Sequence, residues 1–255
     1  MFRYRGELMN RKLLYVVGIG PGKPEGMTKE AKAALDDSEL LVGYPLYLSL
    51  LGTEYDKKEK KSTGMTAEME RCRMALSEAD SGRTVALICS GDPGIYGMAG
   101  PVLSLSGAYP EVKIRIIPGV TAATGGAALL GAPLMHDFAV ISLSDRLTPW
   151  DKIEKRLRAA AEADLVIVLY NPESKGRSGY LKKACGILLD ILPPERAAGT
   201  AERVGREGET CWTGTLAGLS ERQADMFTTV YIGNSRTEIK EGRMITDRGY
   251  RPDEE

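Results

Sequence analysis

The chain has 255 residues, 43% of them hydrophobic, a formal net charge of −1 and a pI near 6.1. That is enough apolar material for one large core or for two cores of roughly 110 to 140 residues each, without disulfide staples. The near-neutral balance gives no global basic field to collect nucleic acid or an anionic membrane, so any anion must be bound locally.

The N-terminal segment Met1 to Lys12 is short and basic, and the apolar run behind it ends at once in a glycine loop. Neither a signal peptide nor a membrane span is read there, and a cytoplasmic location is expected. Met9 could equally be the native start, leaving Met1 to Leu8 as an extension. Cys72, Cys89, Cys185 and Cys211 include no C-x-x-C pair, so no metal site is expected from local spacing and the thiols read as small buried hydrophobes.

Short aliphatic runs alternate with segments of helical period, the pattern of an α/β protein. The expected strands are Leu13 to Val17, Thr84 to Cys89, Val112 to Ile117, Asp164 to Tyr170 and Thr228 to Ile232. Met69, Cys72, Leu76 and Ala79 form one helical stripe, and Trp150, Ile153, Leu157 and Ala160 another behind Pro149. The run Lys57 to Lys61, interrupted by Glu59 and followed by Ser62-Thr63-Gly64, reads as a solvated turn, with an anion site as the alternative. A boundary near Gly119 divides the chain into an N-terminal α/β domain, 1–119, and a C-terminal α/β domain, 120–255, with ligands in the crevice between them.

Three glycine turns follow strands. Gly18-Ile19-Gly20-Pro21-Gly22 lets backbone approach a ligand and aims N–H groups at it. It lacks the third glycine of a dinucleotide fingerprint, since Lys23 stands there, and no Walker phosphate loop occurs anywhere. Ser90-Gly91-Asp92-Pro93-Gly94-Ile95-Tyr96-Gly97 offers Asp92 as an acceptor for ribose hydroxyls or an amine, although Asp-Pro-Gly is also good turn chemistry. Pro118-Gly119-Val120-Thr121-Ala122-Ala123 turns into a helix with Thr121 as a plausible cap. Turns after three strands suggest one shared crevice.

In this order the three motifs resemble the tetrapyrrole methylase superfamily, the two-domain class III methyltransferases that use S-adenosylmethionine. The resemblance runs from Leu13 to Gly249. Gly131 to Phe138, Ile141 to Asp145, Leu147 to Trp150, Tyr170-Asn171-Pro172 and Ile232 to Ser235 resemble one branch, the precorrin-3B C17-methyltransferases or cobalt-factor III methyltransferases of cobalamin synthesis. Met135 and Arg146-Leu147 depart from that branch.

What the resemblance implies is methylation of C17 of a corrin-type ring with associated ring contraction, S-adenosylmethionine as methyl donor, a homodimer, and neither nucleic acid nor membrane as partner. It places the donor against Pro21, Ser90, Gly91, Asp92, Ile95, Thr121, Ala122, Tyr170, Asn171, Thr200, Ala201, Thr229 and Val230. The acceptor falls to Gly18, Gly20, Gly22, Lys23, Arg146 and Arg177, with Lys175, Arg203 and Arg206 as further cations for ring carboxylates. Ring contraction needs proton transfer, and His136, the single histidine, is the candidate acid or base with Asp137 orienting it. The rival readings are methylation of C11 or C20, a ribosomal RNA or diphthamide methyltransferase of the same fold, and a non-catalytic donor-binding protein.

Overall fold

A computed structural model describes residues 11–174 and 176–250; Met1, Met9 and Lys175 lie outside the described residues. The chain divides into two compact units, Met1–Thr121 and Ala122–Glu255.

The first unit runs β1 (Leu13–Gly18), α1 (Lys29–Asp37), β2 (Leu40–Gly43), α2 (Pro45–Leu48), β3 (Glu59–Ser62), α3 (Glu68–Asp80), β4 (Thr84–Cys89), α4 (Ala99–Leu105) and β5 (Lys113–Ile117). The strands form one parallel sheet in the order β3-β2-β4-β1-β5. Because side chains alternate along a strand, Leu14 and Val16 go to one face and Tyr15 and Val17 to the other. The first face packs on Cys72, Ala75, Leu76 and Ala79 of α3, the second on Ala31, Ala34 and Leu35 of α1. Each leucine sealed this way contributes about 1.5–3 kcal/mol of burial. A sheet covered on both faces leaves its strand ends as the place for a ligand, and in a parallel sheet all the C-terminal ends lie along one edge.

Two expectations change here. The α3 stripe begins at Cys72 rather than Met69, which is 42% exposed, and Arg71 is buried beside it. The lysine run is a turn only in its first half: Lys57 is exposed in a turn, and Glu59–Ser62 form a charged edge strand, β3. Lys58 Nζ donates to the carbonyls of Leu35, Asp36 and Ser38 at the end of α1, and Lys61 pairs with Glu78 of α3 at 2.6 Å. Charged residues are how an edge strand avoids pairing with another chain, and they hide the apolar alternation of a strand.

The second unit runs α5 (Ala122–Leu130), β6 (Gly131–Ala132), β7 (Phe138–Ser142), α6 (Trp150–Glu162), β8 (Val166–Tyr170), α7 (Tyr180–Leu189), β9 (Ala197–Glu202), β10 (Thr210–Thr215), α8 (Leu216–Ser220), β11 (Thr228–Ile232), β12 (Thr237–Lys240) and β13 (Arg243–Thr246). Its main sheet has the order β10-β9-β11-β8-β7, with β7 and β8 parallel and the other pairs antiparallel. A small sheet, β12-β13-β6, stands beside it. Ile153 and Leu157 of α6, with Leu181 and Leu188 of α7, cover one face of the main sheet. Ala123, Ala127 and Leu130 of α5 cover the other. The strand expected from Asp164 starts two residues later, because Asp164 is left-handed (φ 54°) and its N–H and that of Leu165 bond the carbonyls that end α6. No helix among the described residues is long and apolar enough to cross a membrane.

Candidate functional site

In the first unit the three glycine turns touch one another. Gly20 and Gly91 exchange backbone hydrogen bonds of 3.2 and 2.7 Å, and the Ile19 N–H reaches the Cys89 carbonyl at 2.9 Å. A Cβ on Gly18 would stand 2.6 Å from the Gly91 oxygen and 2.7 Å from the Gly119 nitrogen, and one on Gly119 would collide with the same Gly91 oxygen. Side chains are excluded at both positions because backbone already fills the space. The shared surface expected of these turns is therefore a physical junction at the ends of β1, β4 and β5.

Asp92 is its clasp. Oδ1 accepts the Gly94 N–H at 2.8 Å and Oδ2 the Gly119 N–H at 3.0 Å. Each oxygen keeps a lone pair, so the carboxylate can still accept a ligand hydroxyl while it holds the turns. Ile95, Tyr96 and Val120 are exposed on these turns at 38, 57 and 39%. Such apolar groups suit an aromatic or thioether ligand. Ser90 and Pro21 sit half-buried next to them, Gly20 and Gly22 are buried, and Lys23 is exposed.

In the second unit the register sorts the remaining candidates. Val230 pairs with Leu169 and Thr200, which sets Thr229 level with Tyr170 and opposite Ala201. Alternation then puts Tyr170, Ala201 and Thr229 on the face that carries α5, and Thr200 and Val230 on the other. Tyr170 presents its hydroxyl to the Ala123 N–H at 2.6 Å, while the Tyr231 hydroxyl donates toward the Ala122 and Ala123 carbonyls at 2.9 and 2.8 Å. Two tyrosines thus hold the first turn of α5. Burial pushes the Tyr231 hydroxyl far above its ordinary pKa, so it stays a donor. Thr200 Oγ1 is buried without a hydrogen-bond partner.

The ends of β7 and β8 form a second cluster. Asn171, left-handed at φ 53°, donates from Nδ2 to Ser142 Oγ at 3.0 Å. Arg177 reaches the Leu143 and Asn171 carbonyls, both at 3.3 Å, and stacks 5.9 Å from the Tyr180 ring. Among the described residues no carboxylate pairs with it. Arg146 is exposed in the same loop as Asp145, whose carboxylate takes the Tyr180 hydroxyl at 2.6 Å. Arg203 is instead paired with Asp225 at 3.3 Å, and it and Arg206 lie over the Phe227 ring.

His136 and Asp137 are not brought to the cluster at the ends of β7 and β8. They precede β7, and since β7 and β8 run parallel with Phe138 opposite Val166 and Ser142 opposite Tyr170, they lie at the other end of the sheet from Tyr170. β7 spans Phe138–Ser142, about 13 Å of strand, and His136 lies in the bend before it. The Asp137 carboxylate, 85% exposed, stands 3.9 Å from Nδ1, beyond hydrogen-bonding reach. What meets the ring is the Asp137 backbone N–H, donating to Nδ1 at 3.0 Å. Orientation of the imidazole by the acid is replaced by orientation by its main chain.

The sequence reading passed over Tyr231, Gly126 and Arg71. A tyrosine between two apolar neighbours in a strand, and an arginine inside a helical stripe, were the available signals. Among the described residues no group of three or more metal-ligating side chains is gathered.

A parallel first sheet with a glycine-turn junction at its C-terminal edge, followed by a mixed second sheet, agrees with the family comparison. Residues 13–220 match the family model of the Tetrapyrrole (Corrin/Porphyrin) Methylases. The chain belongs to that family.

It is 48% identical over 239 residues to the probable cobalt-factor III C(17)-methyltransferase of Salmonella typhimurium, covering 93% of this chain and 99% of that one. It is 43% identical to the cobalt-factor III methyltransferase of Priestia megaterium, of whose length it spans 46%. Among solved structures, the methyltransferase CobJ superposes with a TM-score of 0.86 at 35% identity, covering 92% of this chain and 99% of that one. A uroporphyrin-III C-methyl transferase from Thermus thermophilus, complexed with S-adenyl homocysteine, has a TM-score of 0.68 at 23% identity, a likeness of fold.

Proposed function

We propose that this chain transfers a methyl group from S-adenosylmethionine to C17 of a corrin-type tetrapyrrole, cobalt-factor III or precorrin-3B, with the associated ring contraction, in cobalamin biosynthesis. The observation that carries the reading is the 48% identity to the Salmonella relative across nearly the whole of both chains.

The donor's sulfonium supplies the activated methyl, which leaves the protein to align, to desolvate and to hold. In the first unit the proposed donor contacts are Pro21, Ser90, Gly91, Asp92, Ile95 and Thr121; in the second, Ala122, Tyr170, Asn171, Ala201 and Thr229 by side chain or main chain, and Thr200 and Val230. The fit rests on chemistry that is present. Asp92 has spare lone pairs, and Ile95 and Val120 are exposed apolar groups. Acceptor contacts are proposed for Gly18, Gly20, Gly22, Lys23, Arg146 and Arg177, the two arginines suited to peripheral carboxylates. A homodimer in the cytoplasm is proposed with them.

Incubation with donor and either cobalt-containing or cobalt-free precorrin-3 species, followed by mass and spectral analysis, tests the reading. One added methyl at C17 is expected. Methylation at C11 or C20, or no turnover of either species, overturns it.

A further inference from the structure

Arg71 is the most deeply buried cation among the described residues, at 4% exposure, and no carboxylate lies within 4.0 Å of it among them. Its Nη2 donates to the Thr63 and Gly64 carbonyls at 3.2 and 2.8 Å, and its Cζ lies 5.9 Å from the centre of the Tyr44 ring. Nε is buried with no hydrogen-bond partner.

That is an expensive arrangement. A buried cation without its counter-charge is costly, and two neutral carbonyls offset only part of that cost. The position on α3 adds to the cost, because Arg71 occupies the first turn, where the helix dipole favours anions over cations. The two carbonyl bonds and the Tyr44 ring offset part of that cost, and a bound anion would answer the unpaired charge and the dipole together.

The location favours the same conclusion. Tyr44 follows β2 and the Thr63–Gly64 turn follows β3, so Arg71 lies on the C-terminal edge of the sheet that also carries the glycine-turn junction. β2 is the neighbour of β4, one strand spacing of about 4.8 Å away. Met65 and Met69, 52 and 42% exposed, stand on the turn and on the first turn of α3, soft apolar groups of the kind that accept a flat ring.

We propose that Arg71, with Tyr44 and the Thr63–Gly64 turn, is a carboxylate-binding subsite at the edge of the first sheet that takes one peripheral carboxylate of the tetrapyrrole acceptor. The proposal rests on the reading above for the nature of the acceptor; the unpaired buried guanidinium stands apart from it.

The test uses the full chain and a porphyrin polycarboxylate, uroporphyrin III, beside its fully esterified form. Wild type, Arg71→Met and Arg71→Lys are titrated by fluorescence, with S-adenosylhomocysteine binding and melting temperature measured on each. Wild type is expected to favour the acid over the ester. Arg71→Met should lose about tenfold in affinity for the acid and little for the ester, with donor-product affinity unchanged and the melting temperature held or raised.

Arg71→Lys keeps the charge without the fork and should fall between them; it carries the comparison if the methionine variant does not fold. Undiminished discrimination between acid and ester in the variants, with a lowered melting temperature, makes Arg71 a structural carbonyl clamp and overturns the subsite alone. Failure of wild type to bind either form overturns the subsite and the tetrapyrrole reading together.

Discussion

Asp92 Oδ2 accepts the backbone N–H of Gly119 at 3.0 Å, so one carboxylate joins the turn after β4 to the turn after β5. Its other oxygen closes its own turn through Gly94. A group that ties two loops shapes the surface both present, and this is a different role from that of a simple ligand acceptor. Asp92→Asn replaces one acceptor by a donor facing an N–H. We expect a loss of about 1–3 kcal/mol in thermal or urea unfolding, together with weaker S-adenosylhomocysteine binding by calorimetry. Weaker binding at unchanged stability would leave Asp92 a ligand contact and remove the clasp.

His136 lies in the bend before β7, at the opposite end of about 13 Å of strand from Ser142 and Tyr170. With the donor contacts proposed at that end, His136→Ala should still give methylated and ring-contracted product at a rate within about threefold of wild type, read by mass and absorption spectra of the tetrapyrrole. Loss of ring contraction in a variant that melts normally would return the histidine to the chemistry.

Much of this was legible in the sequence. β1, β4, β8 and β11 carry the largely apolar runs of strands buried on both faces, and Ile153, Leu157 and Ala160 recur at helical spacing because α6 buries one stripe. The junction of the three glycine turns was legible as well, since glycine after a buried strand marks backbone that must come close to something. What stayed hidden has a common cause: it depends on which face or which end of a strand a residue occupies. Thr200 and Ala201 are adjacent in sequence yet point to opposite faces of β9. His136 and Ser142 flank one strand yet lie at its two ends. β3 was hidden differently, because the charges of Lys60 and Lys61 that protect an edge strand look like a solvated turn.

Gly126 and Tyr231 form a pair whose coupling can be measured. A Cβ at position 126 would collide with the Tyr231 hydroxyl and stand 2.9 Å from Ala201 Cβ. That hydroxyl anchors the first turn of α5. Gly126→Ala should cost about 2–3 kcal/mol through overpacking and broken hydrogen bonds, Tyr231→Phe about 1 kcal/mol. The double variant should be more stable than Gly126→Ala alone, because removing the hydroxyl makes room. Strict additivity in urea unfolding would mean that the two do not compete for the same space.

The four cysteines should react very unequally. Burial pushes the Cys72 thiol up to about 11 and those of Cys89 and Cys185 up to about 12, while Cys211 is exposed on β10. Since the thiolate is the nucleophile, native protein at pH 8 should take up one equivalent of a maleimide, at Cys211, and four after denaturation. Peptide mapping that finds Cys89 or Cys185 labelled in the native state would contradict their burial.

Glu78 offers a pH test with a definite sign. Lys61 at 2.6 Å and Arg83 at 3.0 Å hold its carboxyl below the ordinary 4.5, with the Lys61 hydrogen bond the largest cause. A carboxyl whose folded pKa is depressed binds fewer protons folded than unfolded. Its stabilisation is therefore complete above the unfolded value and drains away as pH falls through the folded one. The side chain is 23% exposed and solvent screens the pair, so Glu78→Gln should lower stability by about 1 kcal/mol near pH 7. Arg83 also holds Glu59 at 2.6 Å, which limits the loss by keeping that end of β3 tied. The difference between wild type and variant should close as the solution is acidified past the carboxylate range, and added salt should shrink it at neutral pH. A gap that persists undiminished at acid pH would show that Glu78 acts by packing its methylenes rather than by its charge.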